Sequence, residues 1–225
     1  MALLAHFWQG DKNRLKASGD VYRLGRKPDP WTLPDWASAG PDGTFGNRFD
    51  DPKSTYRVLY ASSQRLGCYV ETLARFRIDL SLITELQNVV GDNDFYPQAT
   101  VPAEWLSARM MGTAAIEGEY VEICNSDWIS RLRVQLAPLL IGLGIKDFDA
   151  ATVQLTSVRH LTQHISRLVF DTGANGIHYP SKYGHDIQNW ALFEPFQIKI
   201  KAIQPIRSDD PDLLKALKLH SLKLG

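Results

Sequence analysis

Two stretches of the chain carry side chains suited to chemistry. The first, Phe45–Phe76 (FGNRFDDPKSTYRVLYASSQRLGCYVETLARF), contains Arg48, Tyr60 and Glu71; the second, Gly176–Glu194 (GIHYPSKYGHDIQNWALFE), contains Ser181. They read as two halves of one site. Glu71 with Asp50 or Asp51 would form a carboxylate pair of the kind that hydrolyses glycosides. His160 and His164 stand four apart on one helix face, which is a metal-ligand spacing. They lack the intervening Glu of a zinc-protease motif, and no third ligand is recognisable, so no metal site is expected.

The elements that must position these residues follow from local pattern. Arg48 lies in an aromatic-flanked turn, and Asp50-Asp51-Pro52 continues it as a loop. Tyr56–Ala61 (YRVLYA) is rich in aromatic and branched residues and reads as a strand. Ser62 or Ser63 is the expected N-cap of a helix in which Leu66, Tyr69, Val70, Leu73 and Phe76 recur at helical spacing. Glu71 sits beside that stripe, so a tight loop–strand–helix fold brings Tyr60 and Glu71 close to Arg48. The plain alternative is that Glu71 pairs with Arg75 on a solvated helix face.

Elsewhere, Met1–Trp8 is expected to pack as a short helix or strand and Asp11–Asp20 to form a loop. Val21–Leu24 reads as a first strand, with Arg23 on it. The Pro-rich stretch 28–41 is irregular, with Trp31 and Trp36 filling a groove on the protein's own core. Strands are expected at Phe76–Leu80, Tyr120–Cys124, Gly176–Tyr179 (stopped by Pro180), Trp190–Phe193 and Phe196–Ile203. Helices are expected at Pro102–Met111, from Asn125 or Ser126 to about Gly142 with a break at Pro138, at Phe148–Phe170 capped by Asp149, and at Pro211–Leu224, packed on its own domain. Strands and helices mix without regular alternation, which gives an α+β class.

Composition narrows the functional classes. A chain of 225 residues, 44% apolar, is within the range of one domain spanning 1–225. Lys plus Arg equals Asp plus Glu at 25 each, so no basic excess points to nucleic acid, and a chain of zero net charge tends to self-associate. Cys68 and Cys124 are too few for a disulfide scaffold or a cysteine zinc site and are expected to be reduced, in the cytoplasm. The N-terminus lacks the features of a signal peptide. The strongly apolar stretch 134–145 is interrupted by Pro138 and is far shorter than the roughly 20 residues of a membrane span.

Four motifs occur in order: GNRF with Arg48, VLYAS with Tyr60, YVETLAR with Glu71 and GIHYPS with Ser181. Together they resemble the RES-domain family, toxins of bacterial toxin–antitoxin pairs named for Arg, Glu and Ser, from about Val21 to Phe196. Cys68 stands where a small Ala is common in that family, and His178 where Arg is common. The resemblance implies an ADP-ribosyltransferase-like fold, a split antiparallel β-sheet core holding NAD+ in its cleft. It implies NAD+ as substrate and cleavage of the nicotinamide–ribose bond, by hydrolysis or by phosphorolysis with inorganic phosphate as co-substrate. ADP-ribosylation of a protein is the alternative, followed by an inactive partner-binding module. On this resemblance Glu71 stabilises an oxocarbenium-like ribose. Arg48 and Arg23 hold the pyrophosphate, which a planar guanidinium suits. Tyr60 offers a flat face to nicotinamide or ribose, and Ser181 hydrogen-bonds a ribose, a phosphate or Glu71 itself. Arg57, Arg65 or Arg75 would serve a further phosphate, while Lys182 and His185 share the Ser181 loop without an assigned role. The implied partner is a helix-turn-helix antitoxin that blocks the cleft, in a higher-order complex.

Overall fold

A computed structural model describes residues 14–87 and 99–225; the expected element at Met1–Trp8 lies outside them. Eight strands form the main sheet: β1 (Arg14–Lys16), β2 (Asp20–Arg26), β3 (Val58–Ser62), β5 (Arg109–Glu117), β6 (Glu119–Glu122), β7 (Gly176–Ser181), β8 (Gly184–Phe193) and β9 (Gln197–Pro205), in the order β1-β6-β7-β8-β3-β2-β5-β9. Every neighbouring pair is antiparallel except β6 and β7. Residues 99–101 form β4, which pairs in parallel with β10 (Leu222–Leu224).

The sheet is close to dividing in two. β3 runs against β8 over five residue pairs and β2 against β5 over seven, but β2 and β3 meet at a single pair, Tyr22 and Ser62. The two halves therefore splay apart beyond that pair, in keeping with the expected α+β class and split antiparallel core. Arg23, one residue past the junction, reaches across it: its Nη1 donates to the Tyr60 carbonyl at 2.6 Å and its Nε to the Pro30 carbonyl at 2.6 Å.

Helix α1 (Arg65–Leu73) follows β3 directly and buries Cys68, Tyr69, Val70 and Leu73. Its close approach to β3 depends on Gly67, where a Cβ would stand 2.2 Å from Ser62 Oγ. The N-cap is Gln64, without a side-chain cap, rather than the expected Ser62 or Ser63. Those hydroxyls are used otherwise: Ser62 Oγ donates to the Gln188 carbonyl and Ser63 Oγ accepts from Trp190 Nε1.

Several expected elements differ, each for a tertiary reason. Arg14–Lys16, expected as loop, pairs with β6, and Arg14 bonds the Thr172 carbonyl at 2.6 Å. The FRIDL alternation is not a strand: residues 74–76 form a 3-10 turn, and helix α2 (Leu80–Gln87) starts after Asp79, whose carboxylate accepts from Ser81 N. The helix expected over Pro102–Met111 ends early as α3 (Ala103–Ser107), because Arg109–Glu117 is taken up between β2 and β9. Helices α4 (Ser126–Gln135, capped by Asn125) and α5 (Ala137–Gly142) break near Pro138 as expected.

The long helix over 148–170 is two. Helix α6 (Ala150–Leu155) has a capping box between Asp149 and Thr152, and α7 (Arg159–Asp171) begins after a turn in which Thr156 Oγ1 accepts from Val158 N. Pro180 does not stop β7, because a register irregularity between Pro180 and Ser181 absorbs it. Strand β8 begins at Gly184, before the expected Trp190. The C-terminal helix α8 (Pro211–Leu219) ends at a turn where Ser221 has φ 54°, and the rest pairs as β10.

Three buried clusters hold these layers. Tyr56, Trp128, Leu161 and Phe193 belong to the one formed where α4–α7 cover β6, β7 and β8. Tyr69, Trp105, Met111 and Leu213 join α1, α3, β5 and α8 in the second. Trp31, Tyr120 and Trp190 lie in the third. Trp31 is 4% exposed and packs on Gly112, where a Cβ would stand 2.4 Å from its Nε1, so it fills its own core as expected. Trp36 is instead 37% exposed, beside Phe45 and under the Arg57 guanidinium.

Candidate active site

Where the two half-sheets diverge, a cleft of about 700 Å³ opens between α1, the Arg48 loop, the turn joining α6 to α7, and residues of β7 and β8. Its lining includes Arg23, Arg48, Tyr60 and Glu71, so local folding gathers the expected residues of the first stretch.

The Arg48 loop is pinned from every side. Asn47 N donates to Asp50 Oδ2 at 2.7 Å, Phe49 N to the Tyr60 hydroxyl at 2.9 Å, and Ser166 Oγ to the Phe49 carbonyl at 2.6 Å. Phe49 itself is fully buried. The Arg48 guanidinium then lies 5.1 Å from the Phe49 ring centroid and 5.4 Å from that of Tyr179, and its Nη2 donates to the Val153 carbonyl. Its buried Nε has no partner among the described residues. Burial lowers its pKa, opposed by Tyr179, Cys124 and Glu71. Arg23 is more enclosed still, and burial pushes it down to about 10, which leaves it cationic at neutral pH.

The Tyr60 hydroxyl is fully committed, accepting from Phe49 N and donating to Asp50 Oδ1 at 2.9 Å. What Tyr60 offers the cleft is therefore its ring. Burial raises the pKa of Asp50, and the bonds from Asn47 and Tyr60 oppose that rise. Asp50 and Asp51 are both buried, do not line the cleft and are otherwise engaged, Asp50 by Asn47 and Tyr60 and Asp51 by Thr55 and Arg167. They are not placed to pair with Glu71 as a glycosidase dyad. Tyr60→Phe leaves Phe49 N and one Asp50 oxygen without partners; it is expected to cost about 2 kcal/mol and to lower the melting temperature by roughly 4–8 °C. Calorimetric melts of the variant beside the unaltered chain check this, and equal melting temperatures would reject the loop-pinning role.

Glu71 is exposed to the cleft from α1. One oxygen accepts from Asn189 Nδ2 at 2.7 Å; the other has no partner among the described residues, and Glu71 does not pair with Arg75. It is the one carboxylate among the cleft-lining residues, against five cations: Arg23, Arg48, Arg75, Arg159 and Lys182. Arg159, the first residue of α7, has no carboxylate or carbonyl partner among the described residues.

Ser181 does not reach this lining. It is 0% exposed, its Oγ accepts from Tyr183 N at 3.0 Å, and its carbonyl accepts from Gln154 Nε2 at 2.7 Å. It thereby shapes the turn that brings Lys182 and Tyr183 to the cleft. His185 is exposed and lies off the lining. Of the arginines considered for a further phosphate, Arg57 is paired with Glu194 and Arg65 with Asp210; Arg75 lines the cleft.

Residues that sequence reasoning did not single out complete the lining: Tyr179, Asn189, Gln154 and Arg159. The available signal was strand alternation. Tyr179 on β7 and Ser62 on β3 are both direct partners of Asn189 on β8, a register invisible while β8 is read as starting at Trp190. Burial and the nearby Glu71 raise the Tyr179 pKa, while Arg48 and Arg159 oppose the rise, so its phenol is neutral at physiological pH.

Burial pushes the Cys68 thiol up to about 12, so it stays protonated. The His160 and His164 rings lie 4.2 Å apart, tilted by 59°, with His164 Nδ1 bonded to the His160 carbonyl. Among the described residues no three of His, Cys, Asp and Glu gather as metal ligands, and no helix is long and apolar enough to cross a membrane. What remains is one oriented carboxylate facing a cation-lined, aromatic-walled cleft. It suits an anionic substrate that develops positive charge beside Glu71.

Comparison with known proteins gives two findings. A model of the RES domain matches residues 20–213. Among solved structures, one described as the crystal structure of the M. tuberculosis MbcT-MbcA toxin-antitoxin complex is similar, with a TM-score of 0.54 and 12% identity, covering 96% of this chain and 96% of that chain. At that identity the likeness is one of fold. No curated protein sequence matches the chain.

Proposed function

The chain belongs to the RES-domain family, and from that premise we propose that it is the toxin of a toxin–antitoxin pair, cleaving the nicotinamide–ribose bond of NAD+. The observation that carries the reading is the single cleft carboxylate, Glu71, set among five cations. NAD+ presents a pyrophosphate, which needs fixed cations, and a ribose whose C1′ gains positive charge as nicotinamide leaves.

In the proposed reaction the C1′–N bond breaks and its electron pair departs with nicotinamide, a neutral leaving group. Glu71 lowers the barrier because its charge attracts the oxocarbenium-like ribose more strongly than the ground state. Arg48 holds a phosphate oxygen with the part of its fork not bonded to Val153, and Tyr60 and Tyr179 wall the site with rings. Arg23, bonded to two carbonyls, contributes positive potential and the shape of the split. An oxygen of water or of inorganic phosphate then bonds to C1′, giving ADP-ribose or its 1-phosphate. Arg75, Arg159 and Lys182 are cations beyond the demand of one pyrophosphate, which supports phosphate as co-substrate. The partner is an antitoxin that covers the cleft, and the reaction takes place in the cytoplasm, where NAD+ is.

The test is nicotinamide release from NAD+ by the purified chain, with and without phosphate, followed by phosphorus NMR of the product. Release that depends on phosphate and yields a phosphomonoester signal supports phosphorolysis; release without phosphate supports hydrolysis. A folded chain that releases no nicotinamide rejects NAD+ cleavage and directs the search to a protein acceptor.

A further inference from the structure

Glu71 enters the cleft on a flexible side chain from α1, yet the contact that fixes it comes from β8, 118 residues away in sequence. Asn189 is 2% exposed and sits among buried apolar neighbours on its strand, including Ile187, Trp190 and Ala191. A buried amide is costly unless bonded, and the hydrogen bond that the Asn189 side chain makes within the described structure runs from Nδ2 to Glu71 Oε1 at 2.7 Å. The strand beneath it is rigid, since Asn189 is paired with Ser62 of β3 on one side and Tyr179 of β7 on the other.

We propose that Asn189 is the positioning residue for Glu71: it holds one carboxylate oxygen from a fixed strand and leaves the other for substrate. The chemical type is what the task requires. A Lys or Arg in that place would orient the carboxylate but neutralise the charge that the reacting ribose needs. An amide cannot ionise, so it directs the carboxylate and leaves its charge intact. The inference uses the NAD+ reading for the reaction by which it is assayed, and the contact itself has a separate readout.

Asn189→Ala is expected to lower kcat about 10- to 100-fold, the effect of losing one hydrogen bond to a charged group, with KM changed by less than about threefold. Asn189→Asp separates positioning from mere filling of space. With both carboxylates ionised the two repel, and Glu71 loses its aligned orientation. As pH falls, the introduced carboxyl takes up a proton, because neighbouring carboxylates cannot both stay charged, and then donates to Glu71. Activity of this variant should therefore recover towards low pH relative to the unaltered enzyme. An Asn189→Ala kcat within about twofold of the unaltered enzyme, or an Asn189→Asp pH profile parallel to it, overturns the proposal. Failure of the NAD+ reading would instead show as no nicotinamide release from the unaltered chain. The contact is then read by the Asn189 side-chain amide resonance in nitrogen-15 spectra, with Glu71→Ala as comparison. A shift on removing the carboxylate supports the proposal, and an unchanged resonance overturns it.

Discussion

Glu71→Gln is expected to reduce nicotinamide release from NAD+ by about 10³-fold in kcat, the scale on which a single preorganised electrostatic contact acts in a transition state. The substitution keeps the size and shape of the side chain. Glu71 is exposed to the cleft and its side chain bonds, among the described residues, to Asn189, so the fold has little to lose. What disappears is negative charge at the point where positive charge develops, and no other carboxylate among the described residues lines the cleft to replace it. KM should change by only a few-fold, since the interaction is strongest after the bond has begun to break. Glu71→Asp keeps the charge but withdraws it by one methylene, and a displacement of that order costs about 10²-fold when geometry governs the rate. Steady-state kinetics at saturating NAD+ decide the matter: a Glu71→Gln kcat within tenfold of the unaltered enzyme would remove Glu71 from the chemistry.

Arg48→Lys is expected to weaken NAD+ binding by about 10²-fold, although the charge is conserved. The guanidinium spans two demands at once: its Nη2 serves the Val153 carbonyl while its face lies over the Phe49 and Tyr179 rings. An ammonium is a compact point charge that cannot bond a carbonyl at one edge and present a planar pair of donors at the other. The loop beneath should hold its shape, because Asn47, Phe49 and Ser166 pin it through bonds that do not involve the Arg48 side chain. Calorimetric titration in the slow Glu71→Gln background isolates binding from turnover, and ADP-ribose as a second ligand isolates the pyrophosphate. An Arg48→Lys dissociation constant within threefold of the parent for both ligands would sink the pyrophosphate role. Loss for NAD+ alone would move Arg48 to the nicotinamide end.

Much of the candidate site is legible in the sequence, because its main residues lie within one short span. A loop, a five-residue strand and a nine-residue helix succeed one another between Asn47 and Leu73, and short-range pattern carries that succession. Strand alternation and helical period then place Tyr60 and Glu71 near Arg48 with little freedom left. The caps at Asn125 and Asp149 were legible for the same reason: the bonds they make span two or three residues.

Other features depended on pairing between distant segments. MGTAAI has small residues and no clean alternation, and it becomes a strand because β2 and β9 supply partners on both edges. FRIDL alternates, yet no strand among the described residues pairs with it, and a turn and a helix start take its place. Arg23 reads as a free phosphate ligand until the single Tyr22–Ser62 pair splits the sheet and directs its guanidinium to two carbonyls. Ser181 lies in the right motif, but an irregular register at Pro180 buries it beneath the turn it shapes. Residue type and periodicity determine which side chains an element can present. Which of them meet across more than a hundred residues, as Glu71 and Asn189 do, depends on strand register, and register is settled only when buried faces pack against one another.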